Sequence, residues 1–152
     1  MIDATSGVSV QTDWIEQELA ESDAVWKFAV FHFPPYSSRA PYVNIQNEWV
    51  PLFDKYHVDM VFSGHFHYYM RSFPMRNHQV VNSFNEGTIY VISLGIPGRE
   101  GTMPEEPYSA VRNQKGSQYQ YIQIDGNRLA YKSIQASGNI IDEFTIEKAH
   151  LN

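Results

Sequence analysis

The chain contains no cysteine, which excludes disulfides, thiolate metal sites and cysteine nucleophiles together. Any metal ion it holds must therefore be bound by imidazole, carboxylate, amide or water. Basic residues are few, 11 Lys and Arg against 17 Asp and Glu, and they form no run. A nucleic-acid partner, which needs a basic footprint, is excluded on that ground. Charged residues make up only 18% of the chain, below the roughly 25% usual for soluble domains. No apolar stretch approaches the roughly 18 residues of a membrane-spanning helix, so no membrane partner is expected. Met1-Ile2-Asp3 opens without the basic and apolar segments of a signal peptide. The cysteine-free composition leaves the compartment open. Leucine is also scarce, at five residues against twelve valines and twelve isoleucines, with ten tyrosines and nine phenylalanines beside them. That mixture suits half-buried pleated surfaces, and a sheet-rich chain with few helices is expected.

Local patterns give an order of elements. Thr12 is read as the N-cap of a helix over 13–21, with Ile15 and Leu19 on one face. Residues 26–32, Trp-Lys-Phe-Ala-Val-Phe-His, form a nearly continuous apolar run suited to a strand buried on both faces, and Pro34-Pro35 ends it. Trp49, Leu52, Phe53 and Tyr56 carry helical spacing over 47–56, and 58–63 reads as the next strand, broken by Gly64. Helix, strand, helix, strand is the pattern of an α/β layer. Five further strands are expected at 79–84, 88–93, 118–125, 128–135 and 140–147. Asp125-Gly126-Asn127 and Ser137-Gly138-Asn139 supply hairpin turns between the last three. The chain thus divides into an α/β part (1–94), a long Gly- and Pro-rich loop (95–116) and an antiparallel β tail (117–152).

Histidines mark the candidate site. His32 closes the first buried strand, and His65 and His67 follow the second in Gly64-His65-Phe66-His67. In open α/β sheets, ligands bind beyond the carboxyl ends of the strands. Two parallel strands would gather all three imidazoles at one rim. The H-x-H spacing on extended backbone would turn His65 and His67 to the same side, with Gly64 allowing the sharp turn. Three neutral imidazoles are most of a metal shell. His57, His78 and His150 have no such setting and read as ordinary surface residues.

The segments Phe31-His32-Phe33-Pro34-Pro35-Tyr36-Ser37-Ser38, Trp49–Tyr56, Val58–His67 and Tyr69-Met70-Arg71-Ser72 resemble the calcineurin-like metallophosphoesterase superfamily, in the branch similar to purple acid phosphatases. The helix at 14–19 and Glu86-Gly87-Thr88-Ile89-Tyr90-Val91 fit the same pattern. The resemblance covers about residues 1–100. It implies the C-terminal half of a four-layered α/β/β/α sandwich, with a mixed sheet and antiparallel hairpins at its end. It further implies two divalent or trivalent ions (Zn, Fe or Mn) and cleavage of a phosphomonoester or phosphodiester by a metal-bound hydroxide. By the same resemblance, His32 and His65 would hold one ion and His67 the other, while Tyr69 and Arg71 would support the loop.

The departures from the family pattern are as informative. The Asp-x-His, Gly-Asp-x-x-Asp and Gly-Asn-His-Asp/Glu segments that complete such a centre are absent from this sequence. The resemblance is therefore to the C-terminal part only, and the parent of such a chain would be secreted or periplasmic. Phe33 stands where a second His is common, Met70 where Glu is common, and residues 39–46 lack the His that purple acid phosphatases place there. Alone, the chain is expected to bind few ions or none, to be inactive, and to pair as a homodimer through an apolar face left bare. The alternative is a non-catalytic interaction module with the same fold. A serine hydrolase is disfavoured, because Gly7-Val8-Ser9-Val10 is followed by Gln11 where a nucleophile elbow closes with Gly.

Overall fold

A computed structural model of the chain describes residues 2–5, 7–38, 42–95, 103 and 105–149. The readings made for Met1, for 39–41 and 96–102 within the loops, for residue 104 and for His150 lie outside them.

Among the described residues there are three layers. Helices α1 (Ser9–Glu21), α2 (Val43–Glu48) and α3 (Val50–Tyr56) cover one face of a five-stranded sheet. That sheet contains β1 (Phe28–Val30), β2 (Met60–Ser63), β3 (Tyr69–Ser72), β6 (Ile89–Ile92) and β7 (Ser109–Asn113), in the order β1-β2-β6-β3-β7. An antiparallel sheet of β8 (Gln118–Asp125), β9 (Arg128–Gln135) and β10 (Ile140–Glu147) covers the other face. A small hairpin, β4 (Met75–Arg76) with β5 (Gln79–Val80), lies apart.

The alternation of side chains along the strands explains the stacking. Ala29, Val61 and Tyr90 pack with Ile15, Ile45, Trp49 and Phe53 on the helical side. Met60, Tyr69, Ile89 and Val91 point the other way and pack with Leu129, Tyr131 and Ile146 of the antiparallel sheet. Strands β1, β2 and β6 are parallel, and parallel strands need both faces covered. The second face is therefore not bare, which corrects the premise of the dimer expectation. Phe28 and Val30 at the β1 edge remain 37% and 45% exposed.

Two buried ionic contacts fasten the antiparallel sheet to the central one. Arg71 donates to both oxygens of Asp142, from Nε at 2.6 Å and from Nη2 at 3.1 Å. The Tyr69 hydroxyl donates to the same carboxylate at 2.6 Å, and Tyr131 lies 3.1 Å from Tyr69 Oη. The Arg71 guanidinium also sits over the Phe144 ring. Asp142 follows a register shift after Ile140, which sets the inward alternation of β10 at this point. At the opposite ends of the strands, buried Asp59 accepts from the Lys27 backbone N–H at 2.8 Å and from Lys148 Nζ at 2.6 Å. Tyr69 and Arg71 therefore join two sheets, and through β3 they anchor the strand that follows the histidine loop.

Several elements differ from the sequence reading. Helix α1 starts four residues before Asp13, and Thr12 is no cap, since it lies within the helix and shares its hydroxyl proton between the Val8 carbonyl and the Glu48 carboxylate of α2. The helix expected over 47–56 is two helices meeting at Trp49, with Pro51 in the first turn of α3, where its missing N–H costs nothing. Strand β7 falls inside the segment read as a long loop, and β3 and β4 are additional strands. Gly87 has a packing reason, because a Cβ there would lie 2.6 Å from the Met75 carbonyl oxygen. No helix among the described residues is long and apolar enough to cross a membrane.

Removing one partner of a buried ion pair leaves an uncompensated charge and costs about 3–5 kcal/mol. Asp142→Ala should therefore lower the urea unfolding free energy by about that amount, whereas the double replacement Arg71→Met with Asp142→Leu should recover most of it. A double variant no more stable than Asp142→Ala would show that geometry, rather than the lone charge, sets the cost.

Candidate metal centre

The sheet register places His32 and His65 side by side. Beyond the last paired residues of β1 and β2, the two chains stay bonded, with Phe31 N–H donating to the Phe62 carbonyl and Gly64 N–H to the His32 carbonyl at 3.0 Å. His32 Nε2 and His65 Nδ1 then lie 3.2 Å apart. The pair sits at the carboxyl ends of adjacent parallel strands, as the sequence predicts.

The backbone at His65 takes an unusual path. Its φ is +65°, and Phe66 N–H donates to the Gly64 carbonyl at 2.7 Å, closing a three-residue γ-turn about His65. Positive φ is strained for a side-chain-bearing residue, and such strain concentrates at functional sites. The residue that makes the turn is thus His65 and not Gly64. A Cβ at Gly64 would meet His32 Nδ1 at 3.6 Å, an ordinary contact, so neither a close approach nor a positive φ calls for glycine there. The backbone over 65–68 is bent, so the H-x-H segment is not the extended stretch that the spacing argument assumes. His67 is exposed, and its charge acts on His65. Among the described residues, no group of three His, Asp or Glu side chains is arranged around a single point that could hold an ion.

Aromatic rings collar the histidine pair. Phe33 meets His32 at 4.9 Å and His65 at 4.8 Å, both edge-on, and stacks on Tyr42 at 4.6 Å. Phe66 packs on the other side of His65 at 4.8 Å. The Tyr42 hydroxyl lies 2.8 Å from His65 Nε2. Neither Phe33 nor Tyr42 was singled out as a site residue from sequence, although Phe33 had shown itself as a departure from the family pattern. Partial desolvation, reinforced by the neighbouring His32 and His67, holds the His65 imidazole below its ordinary pKa. It is therefore neutral, with a lone pair available, at neutral pH. Beside the pair lies an open cavity of about 710 Å³, lined by Val30, His32, Phe62, Gly64, Ser93 and Gln120 among others.

The two nitrogens fit a shared ion. Bonds of about 2.0–2.1 Å at angles between octahedral and tetrahedral put two ligating nitrogens about 2.9–3.4 Å apart. The observed 3.2 Å falls within that interval. His78, by contrast, is engaged by the Tyr36 hydroxyl at 2.7 Å on the β4–β5 turn, and Ser9 donates to Glu48, so neither belongs to this rim.

Comparison with known proteins agrees with the fold. A model of the calcineurin-like phosphoesterase family matches residues 3–69. Purple acid phosphatase 1 of Ipomoea batatas is 33% identical over 124 residues, covering 68% of this chain and 26% of that protein. The Fe(3+)-Zn(2+) purple acid phosphatase 12 of Arabidopsis thaliana is 34% identical over 125 residues, covering 67% of this chain and 26% of that one. An uncharacterized protein of Mycobacterium tuberculosis is 38% identical over 74 residues, 43% of this chain and 14% of its own length. Among solved structures, a purple acid phosphatase from yellow lupin seeds superposes with a TM-score of 0.77 at 24% identity, covering 93% of this chain and 28% of that one. GAP50 of Plasmodium shares the fold at a TM-score of 0.69 and 17% identity, covering 93% of this chain and 43% of that one. These matches and the strand-end histidines define a phosphoesterase-type α/β fold. The chain belongs to the calcineurin-like metallophosphoesterase superfamily, in its purple-acid-phosphatase-like branch. It spans roughly a seventh to a quarter of the length of the curated relatives it matches.

The lowered His65 pKa gives a pH signature with a definite sign. The unfolded chain protonates His65 at the ordinary imidazole value, while the folded chain resists until lower pH. Its contribution to stability is present above the ordinary value and is lost as pH falls through the lowered one. A proton NMR titration should find the His65 midpoint below that of an unstructured histidine, and His32→Asn should raise it. A midpoint unmoved by His32→Asn would remove the electrostatic part of the account.

Proposed function

We propose that this chain contributes His32, His65 and His67 to a binuclear metal centre in a phosphoester-hydrolysing protein. The observation that carries the reading is the 3.2 Å approach of His32 Nε2 and His65 Nδ1 at the ends of parallel strands. Those two imidazoles would hold one ion, and exposed His67 would serve the second. Bound there, such a metal pair supplies Lewis acidity and lowers the pKa of water at neutral pH. The chain's own residues fix the imidazoles through the γ-turn at His65, the aromatic collar and the continued β1–β2 pairing.

The substrate class supported is a phosphomonoester or phosphodiester, following the phosphatase relatives. The donor set suits zinc, iron or manganese, because imidazole is a ligand of intermediate softness and no thiolate is available. Two cations at short separation repel strongly unless carboxylates lie between them. No carboxylate joins the histidine pair among the described residues. The isolated chain is therefore inactive in this reading and works only with further ligands in place.

Isothermal titration should show that 152-residue chain takes up zinc weakly, and that His32→Ala or His65→Ala abolishes the uptake while His78→Ala leaves it unchanged. The same preparation should not turn over p-nitrophenyl phosphate. Uptake that survives both rim substitutions would refute the assignment, and robust turnover would refute the requirement for further ligands.

A further inference from the structure

Phe33 and Tyr42 occupy one side of the histidine rim, and the contacts between them form a continuous chain. Tyr42 stacks on Phe33 with an interplanar angle of 28°, and Phe33 presses edge-on against both imidazoles. Tyr42 itself lies against His65, with ring centres 5.6 Å apart and nearly perpendicular. At the end of this chain its hydroxyl reaches His65 Nε2 at 2.8 Å. His65 thus has both ring nitrogens committed, Nδ1 towards His32 and Nε2 towards Tyr42.

A neutral imidazole carries its proton on one nitrogen and its lone pair on the other, and the partner of one nitrogen determines the role of the second. Resting on the shared-ion reading above, we propose that Tyr42 is a positioning residue: its hydroxyl oxygen accepts the His65 Nε2–H and so keeps the Nδ1 lone pair directed at the ion shared with His32. The phenol is held for this task by its stack on Phe33. The arrangement is the counterpart of the carboxylate or carbonyl that usually orients a ligating imidazole from its far side. Tyr42 touches neither substrate nor ion in this role and acts only through His65.

The assignment separates the hydroxyl from the ring. Tyr42→Phe removes the hydrogen bond and keeps the stack, whereas Phe33→Leu keeps the hydroxyl and loosens the ring that carries it. The full chain, free of metal and at a pH above the imidazole range, is examined by nitrogen-15 NMR for the protonated nitrogen of His65. The wild type should carry the proton on Nε2. Tyr42→Phe should move a large share of it to Nδ1, and Phe33→Leu should move a smaller share. Cobalt titration, followed by its visible spectrum, should show binding weakened about 10- to 100-fold in Tyr42→Phe, the usual cost of losing such a partner. A His65 tautomer on Nδ1 in the wild type, or one unchanged by Tyr42→Phe, overturns the proposal, and so does equal cobalt affinity in the two proteins. If no cobalt binds to either protein, the shared-ion reading fails, and the tautomer shift alone upholds or overturns the role of Tyr42.

Discussion

The bidentate contact between Arg71 and Asp142 is the joint on which the rest of the molecule hangs. A sheet with parallel strands at its centre must be covered on both faces, and in this chain the second cover is a separate antiparallel sheet reached through the segment after β6. Apolar packing between Met60, Val91, Leu129 and Ile146 drives the two sheets together but does not choose their relative angle. Directional hydrogen bonds do. Asp142 accepts from Arg71 and Tyr69 at once, so β3 and β10 can meet in one register. Buried charge of this kind contributes modestly to net stability and strongly to the choice of arrangement when every lone pair is met.

That joint and the histidine rim lie on opposite sides of a short stretch of chain. His65 precedes Tyr69 by four residues, and the bend between them turns the backbone from β2 into the antiparallel strand β3. The γ-turn at His65 begins this reversal. Strain at one residue is sustained because β2 on one side and β3 on the other are each held by the sheet, β3 also by Asp142. The supporting residues identified by family likeness thus act through the fold, with Arg71 and Tyr69 anchoring the strand that receives the turn.

How much of this was legible depended on where the determining forces act. Strands β8, β9 and β10 have the bounds read from sequence, because Gly126 and Gly138 take the positive φ that their turns demand and the flanking residues alternate. The adjacency of His32 and His65 was also legible, since apolar runs of strand length end at both. The bend that carries His65 was not. The H-x-H argument assumed extended backbone, and nothing local in Gly-His-Phe-His announces a left-handed histidine. Strand β7 was hidden for a related reason. Ser-Ala-Val-Arg-Asn has one strong strand former, and it is extended because the open edge of β3 offers it hydrogen bonds. Tyr42 lay in a loop that no periodicity constrains, and only tertiary stacking brings it to His65.

The aromatic collar has a consequence for the thermodynamics of ion capture. A histidine on a free loop loses the rotational freedom of two side-chain torsions when it binds a ligand, and that loss opposes association. At this rim part of that freedom is surrendered during folding, when Phe33 packs against both imidazoles and Phe66 against His65. That part of the entropic penalty therefore falls on the folding equilibrium, where burial of large rings offsets it, and not on the binding equilibrium. Affinity at such a rim is governed by the number and charge of the remaining donors, because the two imidazoles are already in place.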